Sequence, residues 1–148
     1  MILIEKYEKK SSPADLIEQI DQLFRRVYGV SPWTVSQIEQ DLTLGQTTYF
    51  LAWSDERLLA LLVVLETDFE IEILQLAVDP SYQRQGLAGA LMDQLDSRKA
   101  LFLEVRESNP KARCFYQGRG LKELARRKNY YRAPVEDALI MKRESNEG

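Results

Sequence analysis

Ala77-Val78-Asp79-Pro80-Ser81-Tyr82-Gln83-Arg84-Gln85-Gly86-Leu87-Ala88-Gly89 leads from an apolar strand through a turn into a helix. The backbone N–H groups that start a helix have no internal partner, and with the helix dipole they attract anions. Gly86, Ala88 and Gly89 carry little or no side chain, so a bulky pyrophosphate can approach the main chain from Arg84 to Gly89. The stretch lacks G-x-x-x-x-G-K-[ST] and G-x-G-x-x-G, the glycine patterns of nucleoside-triphosphate and dinucleotide sites. It implies a phosphate-bearing cofactor of another kind, set in a domain that alternates strands with helices.

Working outward, Met1 to Tyr7 reads as a strand, and Ser12-Pro13 supplies an N-cap and a first helical position. Leu16, Ile17, Ile20, Leu23, Phe24 and Val27 form one helical stripe ending near Gly29. Ser31-Pro32-Trp33 repeats the cap-plus-proline signal, with Val35, Ile38 and Leu42 carrying a short helix to about Thr43. Thr47–Trp53 and Leu58–Glu66 flank the turn residues Ser54 to Arg57 as a hairpin, and Phe69–Val78 follows as a third strand.

From Gly86 the apolar residues Leu87, Ala90, Leu91 and Leu95 predict a helix to about Ser97. Leu101–Val105 is a buried strand, and Asn109-Pro110 opens a helix to about Gly118. Leu121–Arg127 and Ala138–Arg143 close the domain. The order β-α-α-β-β-β-α-β-α-β-β predicts an α+β fold around one mixed sheet. Residues 1–143 are expected to form one domain and 144–148 a frayed tail.

Composition narrows the chemistry. At 148 residues, 45% apolar and 29% charged, the chain can bury a core without metals or cross-links. No apolar run approaches the roughly 18–20 residues of a membrane span, and no secretory signal begins the chain. A single cysteine, Cys114, permits no internal disulfide and suits a reducing cytoplasm. The absence of histidine removes His-based triads, histidine zinc sites and a histidine base. A proton acceptor must then be a carboxylate, water, tyrosine or the thiol. The net charge of −3 argues against a general nucleic-acid binder despite Arg126-Arg127-Lys128.

Gln83-x-x-Gly86-x-Ala88 resembles the acyl-CoA motif Q/R-x-x-G-x-G/A of the GNAT superfamily of N-acetyltransferases. Leu103-Glu104-Val105-Arg106-Glu107-Ser108-Asn109 and Asn129-Tyr130-Tyr131 with Glu136-Asp137-Ala138 are similar to the RimI type, the ribosomal-protein-alanine N-acetyltransferases. The resemblance covers about Ser31 to Met141. It implies acetyl transfer from acetyl-CoA, with no metal, to the N-terminal α-amine of a protein, typically the alanine of a small-subunit ribosomal protein. It places the pantetheine arm on Leu76-Ala77-Val78 and the pyrophosphate on the N–H groups of Arg84, Gln85, Gly86, Leu87, Ala88 and Gly89. Asn109 would also reach the cofactor, and a backbone N–H near Leu76 would polarise the thioester carbonyl.

The resemblance makes Glu104 the base, directly or through water. An α-amine with a pKa of about 7.7–8.0 must lose a proton before it attacks. It makes Tyr116 the acid that protonates the leaving thiolate, and sets Trp33, Tyr130 and Tyr131 along a peptide groove. Each has a plainer alternative: Glu104 as a solvated or salt-bridged carboxylate, with Arg106 as a candidate partner, Tyr116 as a packed amphipathic ring, and the three aromatics as hydrophobic packing. Glu136 and Asp137 either attract a basic peptide or charge a hairpin, and Cys114 reads as a buried core thiol. Two departures stand out: a short path from Gly86 to Leu103, and Gly120-Leu121 in place of Gly-Phe. Acetylation of lysines or small amines, or acyl-CoA binding without turnover, are the competing functions.

Overall fold

The apolar stripe of the first helix and the alternating residues of the strands set the architecture seen in a computed structural model, which describes residues 2–8 and 14–145. The elements in chain order are β1 (Ile2–Lys6), α1 (Ala14–Tyr28), α2 (Val35–Leu44), β2 (Thr48–Ser54), β3 (Arg57–Glu66) and β4 (Glu70–Val78). A 3₁₀ turn (Pro80–Tyr82) then precedes α3 (Leu87–Met92), β5 (Ala100–Arg106), α4 (Pro110–Gly118), β6 (Lys122–Tyr131) and β7 (Glu136–Arg143). The seven strands run in the order β1-β2-β3-β4-β5-β7-β6. β4 and β5 pair parallel and β5–β7 antiparallel, so the α+β, mixed-sheet expectation holds.

Two compact units divide the chain, Met1–Leu65 with Leu74–Leu95, and Glu66–Ile73 with Asp96–Gly148. In the first, Leu16, Ile17, Ile20, Leu23 and Phe24 of α1 pack with Ile38 and Leu42 of α2 and with Leu51, Leu58, Leu61 and Val63 of β2 and β3. β2 and β3 form the expected hairpin, Ser54 pairing with Arg57 across a two-residue turn. In the second unit, Leu101, Leu103 and Val105 are buried on β5, as are Leu139 and Met141 on β7, while the intervening Phe102, Glu104 and Arg106 are only partly covered. The period of two thus turns Glu104 away from the buried face.

Several boundaries differ from expectation. Ser12-Pro13 lies outside the described residues, as do positions 146–148 of the expected tail. α2 is capped by Thr34, whose Oγ1 accepts from Gln37 N at 3.1 Å while Gln37 Oε1 accepts from Thr34 N at 2.8 Å. Ser31 instead closes a local turn on Trp33, and Val35 is exposed. α3 stops at Met92, short of Ser97: Gln94 N and Leu95 N bond three residues back, to Leu91 O and Met92 O, in a tightening last turn. β6 runs on to Tyr131, because an irregularity around Asn129 (φ 52°) lets pairing resume at Tyr131 with Glu136.

Asp79 is the one buried charged side chain among the described residues, at 1% exposure. Its Oδ2 accepts from Arg26 Nε of α1 at 2.8 Å and Arg57 Nη2 of β3 at 3.1 Å, and its Oδ1 accepts from Ser81 N at 2.9 Å. Burial raises its carboxyl, but the Ser81 N–H and the two guanidiniums outweigh that and hold it below the usual 3.8. A lowered folded value means this stabilisation is complete above the unfolded pKa of about 3.9 and is lost as pH falls through the folded value. Asp79→Asn should therefore lose about 3 kcal/mol in denaturant titrations at pH 7. Its deficit relative to wild type should shrink in strong acid; a deficit independent of pH would contradict the ion-pair account.

Candidate active site

In the first unit, β4 ends at Val78 and the chain turns at Asp79, which caps the 3₁₀ turn. Tyr82 N donates back to Asp79 O at 2.8 Å, and Gln83 Nε2 to Val78 O at 3.2 Å. Arg84 (φ 64°) and Gly86 (φ 82°) then take left-handed conformations that aim the main chain into α3. Ala90 N bonds Gly86 O, so the preceding Leu87, Ala88 and Gly89 N–H groups have no partner within the helix. A Cβ added at Gly86 would meet nothing within 4 Å, and residues 83–86 are exposed. This open, donor-lined turn fits the phosphate-bearing cofactor expected from sequence. On β4, Ala77 is buried and Leu76 and Val78 half-buried; Leu76 O accepts from Tyr28 Oη of α1 at 3.3 Å.

Trp33 also lies in this unit. It is partly buried against the core and meets Phe24 edge-on at 5.8 Å. With Gln37, Asp41 and Leu74 it lines a groove of about 180 Å³. Trp33 therefore packs against the core and also borders a cleft.

The second unit carries the acid–base candidates. Glu104 is half-buried on β5, and its Oε1 accepts from Arg127 Nη1 of β6 at 3.0 Å. Arg127 also lies over the Tyr130 ring at 4.0 Å. Glu104 is thus salt-bridged, but not to the candidate partner Arg106, whose Nη1 donates to Glu136 Oε1 at 2.9 Å and whose guanidinium covers Tyr131 at 4.3 Å. The diagonal reach across β7 decides this, because Arg106 and Arg127 both stand opposite Ala138. Tyr130 and Tyr131 meet edge-on at 5.2 Å. Burial first, then the Glu104 carboxylate, pushes the Tyr131 phenol up.

Glu136 and Asp137 serve the hairpin. Glu136 accepts from Ser108 N as well as Arg106, and Asp137 accepts from Asn129 N and Arg126. These partners hold both carboxyls below their usual values. Asn109 caps α4, its Oδ1 accepting from Ala112 N at 3.2 Å, which leaves the amide nitrogen as the donor for any ligand. Tyr116, further along α4, is buried to 8% exposure. Cys114 is exposed, contrary to the core-thiol expectation: two residues along a helix turn it about 200° from Tyr116, toward solvent.

Two residues of this unit escaped sequence reasoning. Arg127 stands in the sequence only as one of the basic run Arg126-Arg127-Lys128, because nothing there shows that β6 lies one strand beyond β7 from Glu104. Glu72 of β4 stands opposite Phe102 and so shares a face with Glu104. Burial first, then Glu104 and Glu70, raise its carboxyl. Its signal was the alternation Glu70, Glu72 among buried isoleucines, but only the parallel register identifies which strand face it joins.

The first unit thus presents an exposed turn leading into helix-start N–H groups, and the second a carboxylate paired with Arg127 and, on the next helix, a buried phenol. Residues 15–121 match the model of the Acetyltransferase (GNAT) family, more than half of the 148 residues. The chain is 45% identical over 80 residues, 49% of its length and 54% of the relative's, to the [ribosomal protein bS18]-alanine N-acetyltransferase of Escherichia coli (strain K12). Its fold superposes on the crystal structure of the ribosomal-protein-S18-alanine N-acetyltransferase from Escherichia coli with TM-score 0.84 and 28% identity, covering 100% of this chain and 96% of that one. It shares a fold with Arabidopsis thaliana NAA60 in complex with acetyl-CoA, at TM-score 0.80, 16% identity and full coverage of both chains. The chain spans about half the length of the first curated relatives it matches. With the family model matching from within α1 to the start of β6, the chain belongs to the Acetyltransferase (GNAT) family.

Proposed function

We propose that this chain transfers acetyl from acetyl-CoA to the free α-amine of a protein N-terminus, in particular an N-terminal alanine of a ribosomal protein. The observation that carries the reading is Glu104: a half-buried carboxylate on the partly covered face of β5, paired with an arginine from β6. The acceptor class is supported by the Escherichia coli relative and by the solved structure that the chain matches along its whole length. Acetyl-CoA is the donor, and Leu76, Ala77 and Val78 with the N–H groups from Arg84 to Gly89 hold it, assisted by Asn109. Trp33, Tyr130 and Tyr131 contact the acceptor peptide. No helix among the described residues is long and apolar enough to cross a membrane, and a protein working on newly made ribosomal protein belongs in the cytoplasm.

In this mechanism Glu104 takes a proton from the substrate ammonium, directly or through a water, leaving a neutral amine. The amine nitrogen attacks the thioester carbonyl carbon and forms the C–N bond. The C–S bond then breaks as Tyr116 gives its phenolic proton to the departing thiolate, whose conjugate acid has a pKa near 8.5; the acylated nitrogen gives up its second proton, which restores the Tyr116 phenol, and Glu104 releases its proton to water. The N–H near Leu76 stabilises the oxyanion between these steps. Burial of Tyr116 shields this exchange from bulk water.

Incubation of the purified protein with acetyl-CoA and peptides beginning Ala-Arg, their N-terminally blocked forms and internal-lysine controls tests the reading by product mass. Acetylation confined to the free α-amine is expected; modification of the blocked lysine peptide would overturn the acceptor assignment. Glu104→Gln should lower turnover about 10²- to 10⁴-fold while acetyl-CoA affinity holds. Wild-type turnover in that variant would remove Glu104 as the base. Tyr116→Phe should depress kcat much more than donor affinity, and an unchanged kcat would make the ring a packing residue.

A further inference from the structure

Every polar group of Asp79 is engaged. Oδ2 binds Arg26 and Arg57, and Oδ1 accepts from Ser81 N. Asp79 N donates to Leu59 O of β3 at 2.7 Å, and Tyr82 N donates to Asp79 O at 2.8 Å. Arg26 is itself anchored, its Nη2 donating to Leu58 O at 3.1 Å. Two residues further along α1, Tyr28 Oη reaches Leu76 O at 3.3 Å. The last turn of α1 therefore grips both ends of Leu76–Asp79, and β3 holds it from the neighbouring strand.

Between Asp79 and the buried Leu87, Leu91 and Met92 of α3, the path rests on few contacts. Residues 83–86 are exposed, two of them left-handed, and α3 is only six residues long. Stability alone does not explain a buried charge at this position, since a well-packed apolar group usually serves as well or better. A carboxylate with two fixed guanidinium partners instead sets direction, which hydrogen-bond donors at a ligand site need.

We infer that Asp79, clamped by Arg26 and Arg57, is a positioning residue for the acyl donor: it fixes the end of β4 and the turn leaving it, so donor affinity depends on it and acceptor chemistry does not. The inference rests on the donor role proposed above for Leu76–Val78 and the turn. α1 thereby acts on acetyl-CoA binding through its last turn without touching the donor. A residue acting only as scaffold would lower thermal stability without singling out one substrate.

The test uses the full chain as wild type, Asp79→Asn, Arg57→Gln and the double variant, with acetyl-CoA affinity from titration calorimetry and kcat and acceptor-peptide KM from steady-state kinetics. Asparagine keeps the acceptor for Ser81 N and removes the ion pairs. Acetyl-CoA Kd should rise about tenfold in Asp79→Asn, the ratio for one charge-assisted hydrogen bond, with kcat at saturating donor and peptide KM within about twofold. Arg57→Gln should raise it about threefold, and the double variant should match Asp79→Asn alone, because both changes break one pair. Arg57 has a side chain 58% exposed, so that variant carries the test if Asp79→Asn fails to fold. Unchanged donor Kd in Arg57→Gln, or an equal rise in peptide KM, would overturn the inference. Wild-type protein that binds acetyl-CoA but modifies no α-amine would sink the acceptor reading and leave the clamp standing on its Kd values; wild type that does not bind acetyl-CoA would sink both.

Discussion

A carboxylate at 1% exposure between two arginines is the constraint on which the first unit turns. Without partners, a buried charge of this kind would cost several kcal/mol, so Asp79 is tolerable only while α1 and β3 both present their guanidiniums. That requirement ties three segments far apart in sequence to one point, where β4 ends and the turn toward α3 begins. The same point is where strand hydrogen bonding gives way to unpaired N–H groups. A main chain has donors to spare only where it has stopped pairing with itself, and it keeps a fixed path there only if something else holds it.

The second unit solves a different problem, holding a carboxylate on the partly covered face of β5. Alternation along β5 sends Leu101, Leu103 and Val105 into the buried side and leaves Glu104 outward. Arg127 then supplies one counter-charge from β6, while Glu136 takes up Arg106. The effect is a division of cations: each carboxylate has its own arginine, and each arginine also covers a tyrosine, Tyr130 or Tyr131. The long exposed strand β6 is thereby made orderly by ion pairs and ring contacts in the absence of a buried face.

Much of this was legible in the residues. The α1 stripe, the Ser54–Arg57 turn, the Asn109-Pro110 cap and the strand of Leu101–Val105 all appear where local pattern placed them, because each depends on neighbours within a few residues. The misplacements share a cause. Ser31-Pro32 resembled a helix start, yet the reciprocal Thr34–Gln37 capping box won, since it satisfies two N–H groups where Ser31 satisfies one. α3 ended early once its last amides closed three-residue bonds. Cys114 surfaced because its helix has one buried side, which Tyr116 occupies.

The sequence by itself determined the α+β order, the turn that leads through Gly86 into α3 and the strand that carries Glu104, all of which follow from periodicity, caps and glycine. Only the tertiary structure decided which arginine meets which carboxylate. The pairings Arg26–Asp79, Arg127–Glu104 and Arg106–Glu136 join residues 53, 23 and 30 positions apart. Charge attraction acts at any sequence separation, so composition lists many possible partners, and strand register and helix packing select among them. The same holds for Glu72, whose place beside Glu104 follows from the parallel pairing of β4 with β5 and from no local signal.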